Sequence, residues 1–357
     1  MEPELLFFLE SSDEGVDGHD QKVVRRQLRD KSNPLSLSEK AFIKRFRLNK
    51  AAFNYVLRNT NFNCHSSAAA PPILQLAVTL SFLGSGSYQR AVGDDYLMGM
   101  SQSLVSKLST IVVTEIERNL CPEHIRFTLE SLSGCMEWFY EKYKIPRVIG
   151  CIDGTHIGLQ KPSENEHMFF NRKGFHSLNV MIICDHQYKI NAINARYGGA
   201  AHDSFVWKQS EQRIMLEEKF EINSNNNSWL LGDSGYPLEP WCITPYRNPA
   251  EGSSESVFNA VHSKARCMVE RTIGIYKGRW KILCNDKRGR YTPQKVAMFS
   301  NVCAALHNIC MEFKVPFNQP SVTANDVAVN DIDIGEHTQI LRIGQNIRNQ
   351  IKQSLLN

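Results

Sequence analysis

Three carboxylate residues stand where the local sequence could bring them to one site. Asp153 interrupts an apolar run, Asp233 directly follows another, and Glu270 lies in the middle of a long helical pattern. Converging carboxylates can bind two Mg²⁺ or Mn²⁺ ions, because hard cations of this size prefer carboxylate oxygens. Two such ions roughly 3.5–4 Å apart can activate a water and neutralise the charge on an attacked phosphate. The three acids therefore indicate metal-dependent hydrolysis of a phosphodiester bond.

The helical pattern around Glu270 carries several cations. Apolar residues form one stripe of a helix predicted over 256–280, and Glu270 lies beside that stripe. In this position it is either a salt-bridged surface residue or a metal ligand flanked by phosphate-binding side chains. Candidate contacts to DNA phosphates are the basic residues of the same segment: Arg266, Lys277, Arg279 and Lys281. The alternative for these four is a solvated basic helix end.

Two other kinds of site find little support. Gly232-Asp-Ser-Gly could suggest a protease with Ser234 as nucleophile, but no recognisable histidine motif accompanies it. The ten cysteines form no CxxC pair and no cluster with the short ligand spacing of a zinc site. We therefore expect reduced thiols in a cytosolic or nuclear protein.

The elements that must position the acids follow an α/β order. Extended runs separated by polar turns are predicted at 147–160, 177–185 and 189–196, as in an antiparallel meander. After them come, in order, a helix at 203–220, strands at 229–232 and 242–245, and helices at 256–280 and 295–313. This order predicts an α/β RNase H-like core over 146–315, with a mixed sheet and helices on both faces. In such a core, acids belong on the first strand, after the fourth strand and on the late helix.

The residues before this core are predicted to be helical. Apolar residues recur at helical spacing over 38–59, 73–83, 101–118 and 129–143. Short helices around a Gly-containing turn are typical of a helix-turn-helix, which puts 101–118 in the recognition position. Because any small helical bundle has this pattern, the all-α helix-turn-helix-like region 21–145 is either DNA-reading or purely structural.

Charge is unevenly distributed along the 357 residues. The formal net charge is only +4, from 41 Lys and Arg against 37 Asp and Glu. Residues 1–20 carry seven acids and no Lys or Arg, which leaves an excess of eleven cations on the rest. Residues 262–290, around Glu270, carry nine basic residues and two acids. A basic face is the expected footprint of a polyanion binder, and a solvated surface is the alternative.

The two ends of the chain are predicted to be tails. Residues 1–20 form an acidic flexible tail, and residues 316–357 form a polar C-terminal tail that could include a short terminal helix. Acids at 1–10 do not fit a secretory signal. The longest apolar stretches, such as 180–184, are far shorter than the roughly 20 residues of a membrane span. No membrane association is expected.

Several sequence motifs of the chain belong together. The first is the run Ile145-Pro-Arg-Val-Ile-Gly-Cys-Ile-Asp-Gly-Thr-His-Ile, and it is followed by Asn171-Arg-Lys-Gly, Ala201-His-Asp-Ser and Leu231-Gly-Asp-Ser-Gly-Tyr-Pro-Leu. Phe258-Asn and Arg266-Cys-Met-Val-Glu-Arg complete the set, and 36 residues separate Asp233 from Glu270, a spacing typical of DDE enzymes. Together these motifs resemble those of one family, the PIF/Harbinger transposases and the nucleases derived from them, with the first run similar to the family's first catalytic motif.

The resemblance implies a DDE endonuclease core in which Asp153, Asp233 and Glu270 bind a divalent cation, Mg²⁺ or Mn²⁺. It makes Asp203 a fourth candidate metal ligand, although an Asp that opens a helix is usually its N-cap. It also implies a separate Myb/SANT-like partner protein that supplies DNA binding and nuclear entry. We accordingly expect DNA as substrate, a homo-oligomer as one further option, and a location in nucleus and cytoplasm.

Two functions from different classes remain open. The first is an active metal-dependent DNA endonuclease, either a transposase or a host protein derived from one. The second is a catalytically inactive module that binds DNA or protein on the same scaffold. Retention of all three acids favours the enzyme, since a scaffold would gain nothing from mutually repelling carboxylates.

Overall fold

The computed structural model describes residues 23–24, 26–27, 29, 31–62, 70–87, 89–93, 99–128, 133–224, 227–284, 291–317 and 338–356. The predicted acidic tail, residues 1–20, lies outside these ranges.

Helices occupy the first part of the described chain. They are α1 (Glu39–Phe46), α2 (Lys50–Arg58), α3 (Pro72–Ser85), α4 (Gln89–Gly93), α5 (Gln102–Asn119), α6 (Cys121–His124) and α7 (Ser133–Tyr143). Ser101 caps the start of α5, because its hydroxyl accepts a hydrogen bond from the Leu104 amide. Helix α3 is apolar almost all round and is buried along most of its length. A DNA-reading role for α5 stays a prediction.

Five strands form one mixed sheet in the order β3-β2-β1-β4-β5. The strands are β1 (Val148–Gly158), β2 (Ser177–Cys184), β3 (Ile190–Gly198), β4 (Trp229–Leu231) and β5 (Cys242–Ile243). β1, β2 and β3 pair antiparallel, which confirms the predicted meander, whereas β4 pairs parallel to β1 and β5 parallel to β4. The mixed sheet agrees with the predicted RNase H-like order.

Helices pack on both faces of this sheet. Cys151 of β1 faces α10 (Ser254–Arg279), where its thiol donates to the Ala265 carbonyl at 3.6 Å. Gly154 of β1 faces the other side, where it meets α8 (Asp203–Lys208). This alternation follows from the two-residue period of a strand. Helix α11 (Pro293–Glu312) packs against β2 and β3 and contacts α10.

The helix predicted over 203–220 is in fact two helices. Helix α8 ends at Lys208, and two residues separate it from α9 (Glu211–Ile222). Ser210 separates them: its buried hydroxyl donates to the Trp207 carbonyl at 2.7 Å and accepts the Arg213 amide at 3.2 Å. The hydroxyl thus competes with the helical backbone, which is why a serine can end one helix and cap the next.

The C-terminal tail contains a docked helix. Helix α12 (Thr338–Ser354) packs against β5 and α10, and its Ile351 is buried. Arg348 donates from Nη1 to the carbonyls of Thr244 and Pro245, and its guanidinium lies 3.9 Å from the Tyr246 ring centre. Within 338–356 the expectation of a flexible tail is wrong, and the terminal helix is confirmed.

One hydrophobic core runs through the helical region and the sheet. It extends from Phe42 in α1 to Ile351 in α12, and Asn49 of α2 donates to the Phe313 carbonyl after α11. None of the helices in the described part of the chain is long and apolar enough to cross a membrane.

Candidate active site

Strand pairing brings the first two predicted carboxylates to neighbouring positions. Cys151 pairs with Leu231 across the parallel β1–β4 ladder. Asp153 lies two residues after Cys151, and Asp233 lies two residues after Leu231. The two acids are therefore side by side on neighbouring segments of the sheet, since neighbouring strands run about 4.8 Å apart. The Asp233 carboxylate accepts the Gly235 amide at 2.9 Å, which fixes it in a tight turn after β4. The Asp153 carboxylate accepts the Gly154 amide at 2.8 Å.

Helix α10 brings the third carboxylate to the same place. Arg266 donates from Nη1 to Asp153 Oδ2 at 3.0 Å, and from Nη2 to Glu270 Oε1 one helical turn along. The exposed fractions of the Arg266, Asp153 and Glu270 side chains are 13%, 18% and 20%. The strand and helix acids therefore converge in a recess, with a guanidinium between them.

Asp203 approaches the recess from the other face of the sheet. Its Oδ1 accepts Asn179 Nδ2 at 2.7 Å and would lie 2.1 Å from a Cβ at Gly154. It does not cap α8: the N-cap residue is His202, and Asp203 is the first residue of the helix. Only glycine at position 154 leaves room for this carboxylate, because any side chain there would occupy the same space.

The four acids act on one another electrostatically. The pKa of Asp153 is raised to about 7, chiefly by burial; Arg266 opposes this shift, and the charges of Asp233 and Asp203 add to it. Burial likewise raises the pKa of Asp233, with the charges of Asp203 and Glu270 adding to the shift. Burial also raises the pKa of Asp203, against the hydrogen bond from Asn179. Negative charge is concentrated here beyond what one guanidinium neutralises.

A buried tyrosine marks the centre of this charge. Tyr236 is fully enclosed, and its pKa is raised first by burial and then by Asp203, Asp153 and Asp233. Its hydroxyl has no hydrogen-bond partner among the described residues. Since a buried hydroxyl normally has a partner, this position suits a water held by a hydrated cation.

The carboxylate donor set is of the chemical type that binds Mg²⁺ or Mn²⁺. Within the described ranges, no three His, Cys, Asp or Glu side chains are arranged to hold a metal ion as they stand. Arg266 engages one oxygen of Asp153 and one of Glu270, so a divalent cation would compete with its guanidinium for these two carboxylates.

A buried carboxylate ties the supports of the site together. Glu239 Oε2 accepts the indole N–H groups of Trp207 at 2.8 Å and Trp241 at 2.9 Å. Its Oε1 accepts Nε and Nη2 of Arg213 at 3.0 and 2.9 Å. Trp207 lies on α8, one turn after Asp203, whereas Glu239 lies in the segment that follows Asp233. This network was not predicted from the sequence, where a lone Glu after a proline-containing turn carries no signal of burial.

The four basic residues predicted to contact DNA have different surroundings. Arg266 lies between Asp153 and Glu270, whereas Lys277 lies two turns after Glu270 on α10 and its Nζ donates to the His156 carbonyl at 2.6 Å. Arg279 is buried, donates to the Val315 carbonyl and lies 5.3 Å from the Phe317 ring centre, so it cannot reach a phosphate in this conformation. Lys281 is exposed. The expectation of a phosphate clamp therefore does not extend to Arg279.

The two competing kinds of site find no support in the fold. In the described part of the chain, Ser234 forms no hydrogen bond to a histidine. His156 contacts the Ser177 hydroxyl at 3.0 Å, which makes it a satisfied polar residue on the Gly154 face. The nine described cysteines are all free thiols.

Comparison with known proteins places the chain in a family. The family model described as "DDE superfamily endonuclease" matches residues 152–308, which contain all four acids. HARBI1 of Homo sapiens, named as a candidate nuclease, is 32% identical over 250 residues, or 69% of each chain. HARBI1 of Bos taurus is 32% identical over 248 residues, again 69% of each.

A plant protein is more distant but covers more of the chain. The ALP1-like protein of Arabidopsis thaliana is 26% identical over 308 residues, which is 78% of this chain and 72% of its own. No solved structure matches. DDE superfamily endonucleases typically use divalent metal ions. The chain belongs to the DDE superfamily endonucleases, as a homologue of the Harbinger-derived nuclease HARBI1.

Proposed function

We propose that the protein is a divalent-metal-dependent DNA endonuclease of the Harbinger type, either a transposase or a host protein derived from one. The observation that carries this proposal is the convergence of Asp153 and Glu270 on one guanidinium beside Asp233. Carboxylates assembled from two strands and a helix, of which Asp153 and Asp233 have raised pKa values, form a site that attracts cations.

Each acid has a distinct part in this proposal. Asp153, Asp233 and Glu270 are the catalytic residues and hold the metal, Mg²⁺ or Mn²⁺. Asp203 is a fourth ligand, supported by its electrostatic effect on Asp153 and Asp233. When bound, the divalent ions supply an activated water and neutralise charge on the attacked phosphate and the leaving oxygen.

The surrounding residues prepare the recess. Gly154 leaves room for the Asp203 carboxylate, and Asn179 orients it. The Tyr236 hydroxyl offers a donor toward a water at the carboxylates. Arg266, Lys277 and Lys281 are proposed to contact DNA phosphates, because they line or follow the same helix as Glu270.

The test is cleavage of supercoiled plasmid and of duplex DNA with Mg²⁺ or Mn²⁺. We expect nicked and linear products with 3′-hydroxyl ends, and no product with a chelator. Asp153→Asn, Asp233→Asn and Glu270→Gln should each lower the cleavage rate by at least about 100-fold, since the loss of one metal ligand removes transition-state stabilisation. DNA binding without metal should persist in these variants.

The matched control is Glu217→Gln, a half-buried carboxylate on α9 away from the recess. It should cleave like the unmodified protein. If no divalent ion supports cleavage by the unmodified protein, while it binds DNA as the triad variants do, the enzyme proposal fails. Adding a Myb/SANT-like DNA-binding protein belongs in the same assay, because such a partner, nuclear and cytoplasmic location and self-association are also part of the proposal.

The second candidate is an inactive module that binds DNA or protein. The Arg266 bridge favours it, because a guanidinium can neutralise two of the acids without any metal. Isothermal titration with Mn²⁺ separates the two functions. An inactive module that has lost metal binding should bind no Mn²⁺ at the concentrations at which an endonuclease binds it.

A further inference from the structure

Exposed aromatic and basic side chains lie together at one side of the recess. The segment before β2 contributes Phe170, Arg172 and Lys173, and the start of α8 contributes His202 and Phe205. We call these five residues the basic–aromatic rim. Phe170 is 50% exposed and Phe205 48% exposed, which is unusual for aromatic side chains of this size.

The two segments of the rim run side by side. Arg172 Nη2 contacts the His202 ring, and Ala200 N donates to the Met168 carbonyl at 3.1 Å. Phe205 lies three residues after His202, the N-cap residue of α8, and its ring packs edge-on against Tyr197 at 5.5 Å. These two contacts bring the basic turn next to the start of α8.

A buried asparagine holds the basic turn in place. Asn171 is 3% exposed, its Oδ1 accepts the Lys173 and Phe175 amides at 2.9 and 3.3 Å, and its Nδ2 donates to the Ser177 hydroxyl at 2.8 Å. Arg172 and Lys173 project from this turn and are exposed. A preorganised turn loses little freedom when its cations bind an anion.

The rim adjoins the carboxylates. His202 immediately precedes Asp203, and Arg172 is close enough to lower the pKa of Asp203 against its burial. Lys173 lies close enough to Lys277 of α10 to add to the burial that lowers the pKa of that amine to about 8. The nearby Glu166 is already paired, with Lys161 at 2.6 Å and His176 at 3.0 Å. Glu166 therefore does not neutralise Arg172 and Lys173, which are exposed.

We propose that the basic–aromatic rim binds an unpaired stretch of the DNA strand next to the cleavage site. Arg172 and Lys173 contact the phosphates, and bases that have left the duplex stack on Phe170 and Phe205. Aromatic side chains stack on bases only where pairing does not hide them, and such stacking tolerates any sequence. The recessed carboxylates fit this substrate, because a melted strand enters a narrow site more readily than a duplex does.

This inference rests on the proposed function for the position of the cleavage site, but it has its own measurement. Fluorescence anisotropy, with Ca²⁺ present to avoid cleavage, compares a duplex with the same duplex carrying a central mismatched bubble. A 2-aminopurine in the bubble reports stacking. We expect the full-length protein to bind the bubble about tenfold more tightly and to quench the 2-aminopurine.

Each kind of substitution has its own expected pattern. Phe170→Ala combined with Phe205→Ala should abolish the bubble preference and the quenching, with duplex affinity within about twofold of the unmodified protein. Arg172→Gln with Lys173→Gln should weaken both DNAs and lower the slope of affinity against salt by about two. Ile222→Ala, at a position 86% exposed at the end of α9, is the control and should bind like the unmodified protein.

The outcomes separate the rim from the enzyme. If the Phe170/Phe205 variant keeps the bubble preference, or weakens both DNAs equally, the rim inference is overturned. If the rim inference is overturned in this way while Mn²⁺ still supports cleavage by the unmodified protein, the proposed endonuclease function stands without the rim. If the variant loses only the bubble preference while the unmodified protein does not cleave, the rim stands as a binding surface and the enzyme proposal fails.

Discussion

Arg266 is the residue whose surroundings bear most directly on metal binding. Its guanidinium engages Asp153 and Glu270 and is 13% exposed, so a divalent ion must compete with it for both carboxylates. A guanidinium that bridges two carboxylates is held by charge as well as by its hydrogen bonds. A guanidinium displaced by the metal ion would lie at the edge of the recess, where a DNA phosphate can accept its hydrogen bonds.

Arg266→Gln should therefore bind Mn²⁺ several-fold more tightly than the unmodified protein in the absence of DNA. Isothermal titration measures this, and Arg271→Gln, an exposed arginine on the same helix, is the control. Without metal the variant should also melt at a lower temperature than the unmodified protein, since its carboxylates then lack a counter-charge. Added Mn²⁺ should raise the melting temperature of the variant back to that of the unmodified protein. Weaker Mn²⁺ binding in Arg266→Gln would mean that the guanidinium supports the site rather than competing for it.

The sequence predicts the acids of the site but not the residues around them. Asp153 and Asp233 were predictable because an acid in or after an apolar strand is a strong local signal. Gly154 and Asn179 were not, because their importance depends on the contact of α8 with the far face of β1. The burial of Arg279 was equally hidden, since it depends on the chain after α11 folding back over the end of α10.

At the scale of elements, α8 is joined to the segment after β4 through Glu239. Trp207 of α8, Arg213 of α9 and Trp241 before β5 all donate to this one buried carboxylate. A buried carboxylate is costly unless all its acceptor positions are used, and here four donors use them. The network fixes the distance between the helix that carries Asp203 and the turn that carries Asp233.

Glu239→Gln should weaken Mn²⁺ binding by about tenfold, because the amide must turn its NH2 group toward either Arg213 or the two indoles, which loses hydrogen bonds there and loosens α8. Isothermal titration in a double-mutant cycle with Asp203→Asn distinguishes positioning from general damage. If Glu239 acts through Asp203, its substitution has little further effect once Asp203 is changed.

Glu217→Gln is the matched control for Glu239→Gln, since Glu217 also pairs with Arg213, at 2.8 Å, but is half-buried and outside the network around the indoles. It should leave Mn²⁺ affinity unchanged. Equal losses in Glu217→Gln and Glu239→Gln, or fully additive effects with Asp203→Asn, would contradict a positioning role for Glu239.

Element type was predictable here where element boundaries were not. The meander and the long α10 carry strong periodic signals, and both are confirmed within a few residues. The break between α8 and α9 has no glycine or proline to announce it. Its cause is the buried position of Ser210, and burial is a tertiary property.

For the whole molecule, the sequence predicts the distribution of charge but not the organisation of the core. The excess of eleven cations outside residues 1–20 follows from counting. The continuous core does not: α1 to α7 pack onto the sheet helices, with Asn301 of α11 donating to Glu117 of α5 at 3.0 Å. The described parts of the predicted regions 21–145 and 146–315 therefore share one core, in which α5 packs directly against α11.

Deleting residues 2–20 should increase affinity for duplex DNA by about tenfold at low salt, because seven negative charges are removed from a cationic protein. The difference should vanish as salt rises. Anisotropy titrations over a salt series measure it, and a full-length variant with the seven acids changed to their amides separates charge from length. Unchanged affinity for duplex DNA in both variants would show that the tail does not screen the DNA-binding surface of the protein.

The docking of α12 on β5 has a practical consequence for producing this protein. β5 is the last strand of the sheet, and Arg348 donates to the carbonyls of the two residues that follow it. A shortened form that ends near residue 308, where the family match stops, would lose this helix and expose an unpaired strand edge. Such a form invites strand addition from a second copy, so recombinant material intended for crystallisation should retain the C-terminal residues through Ser354.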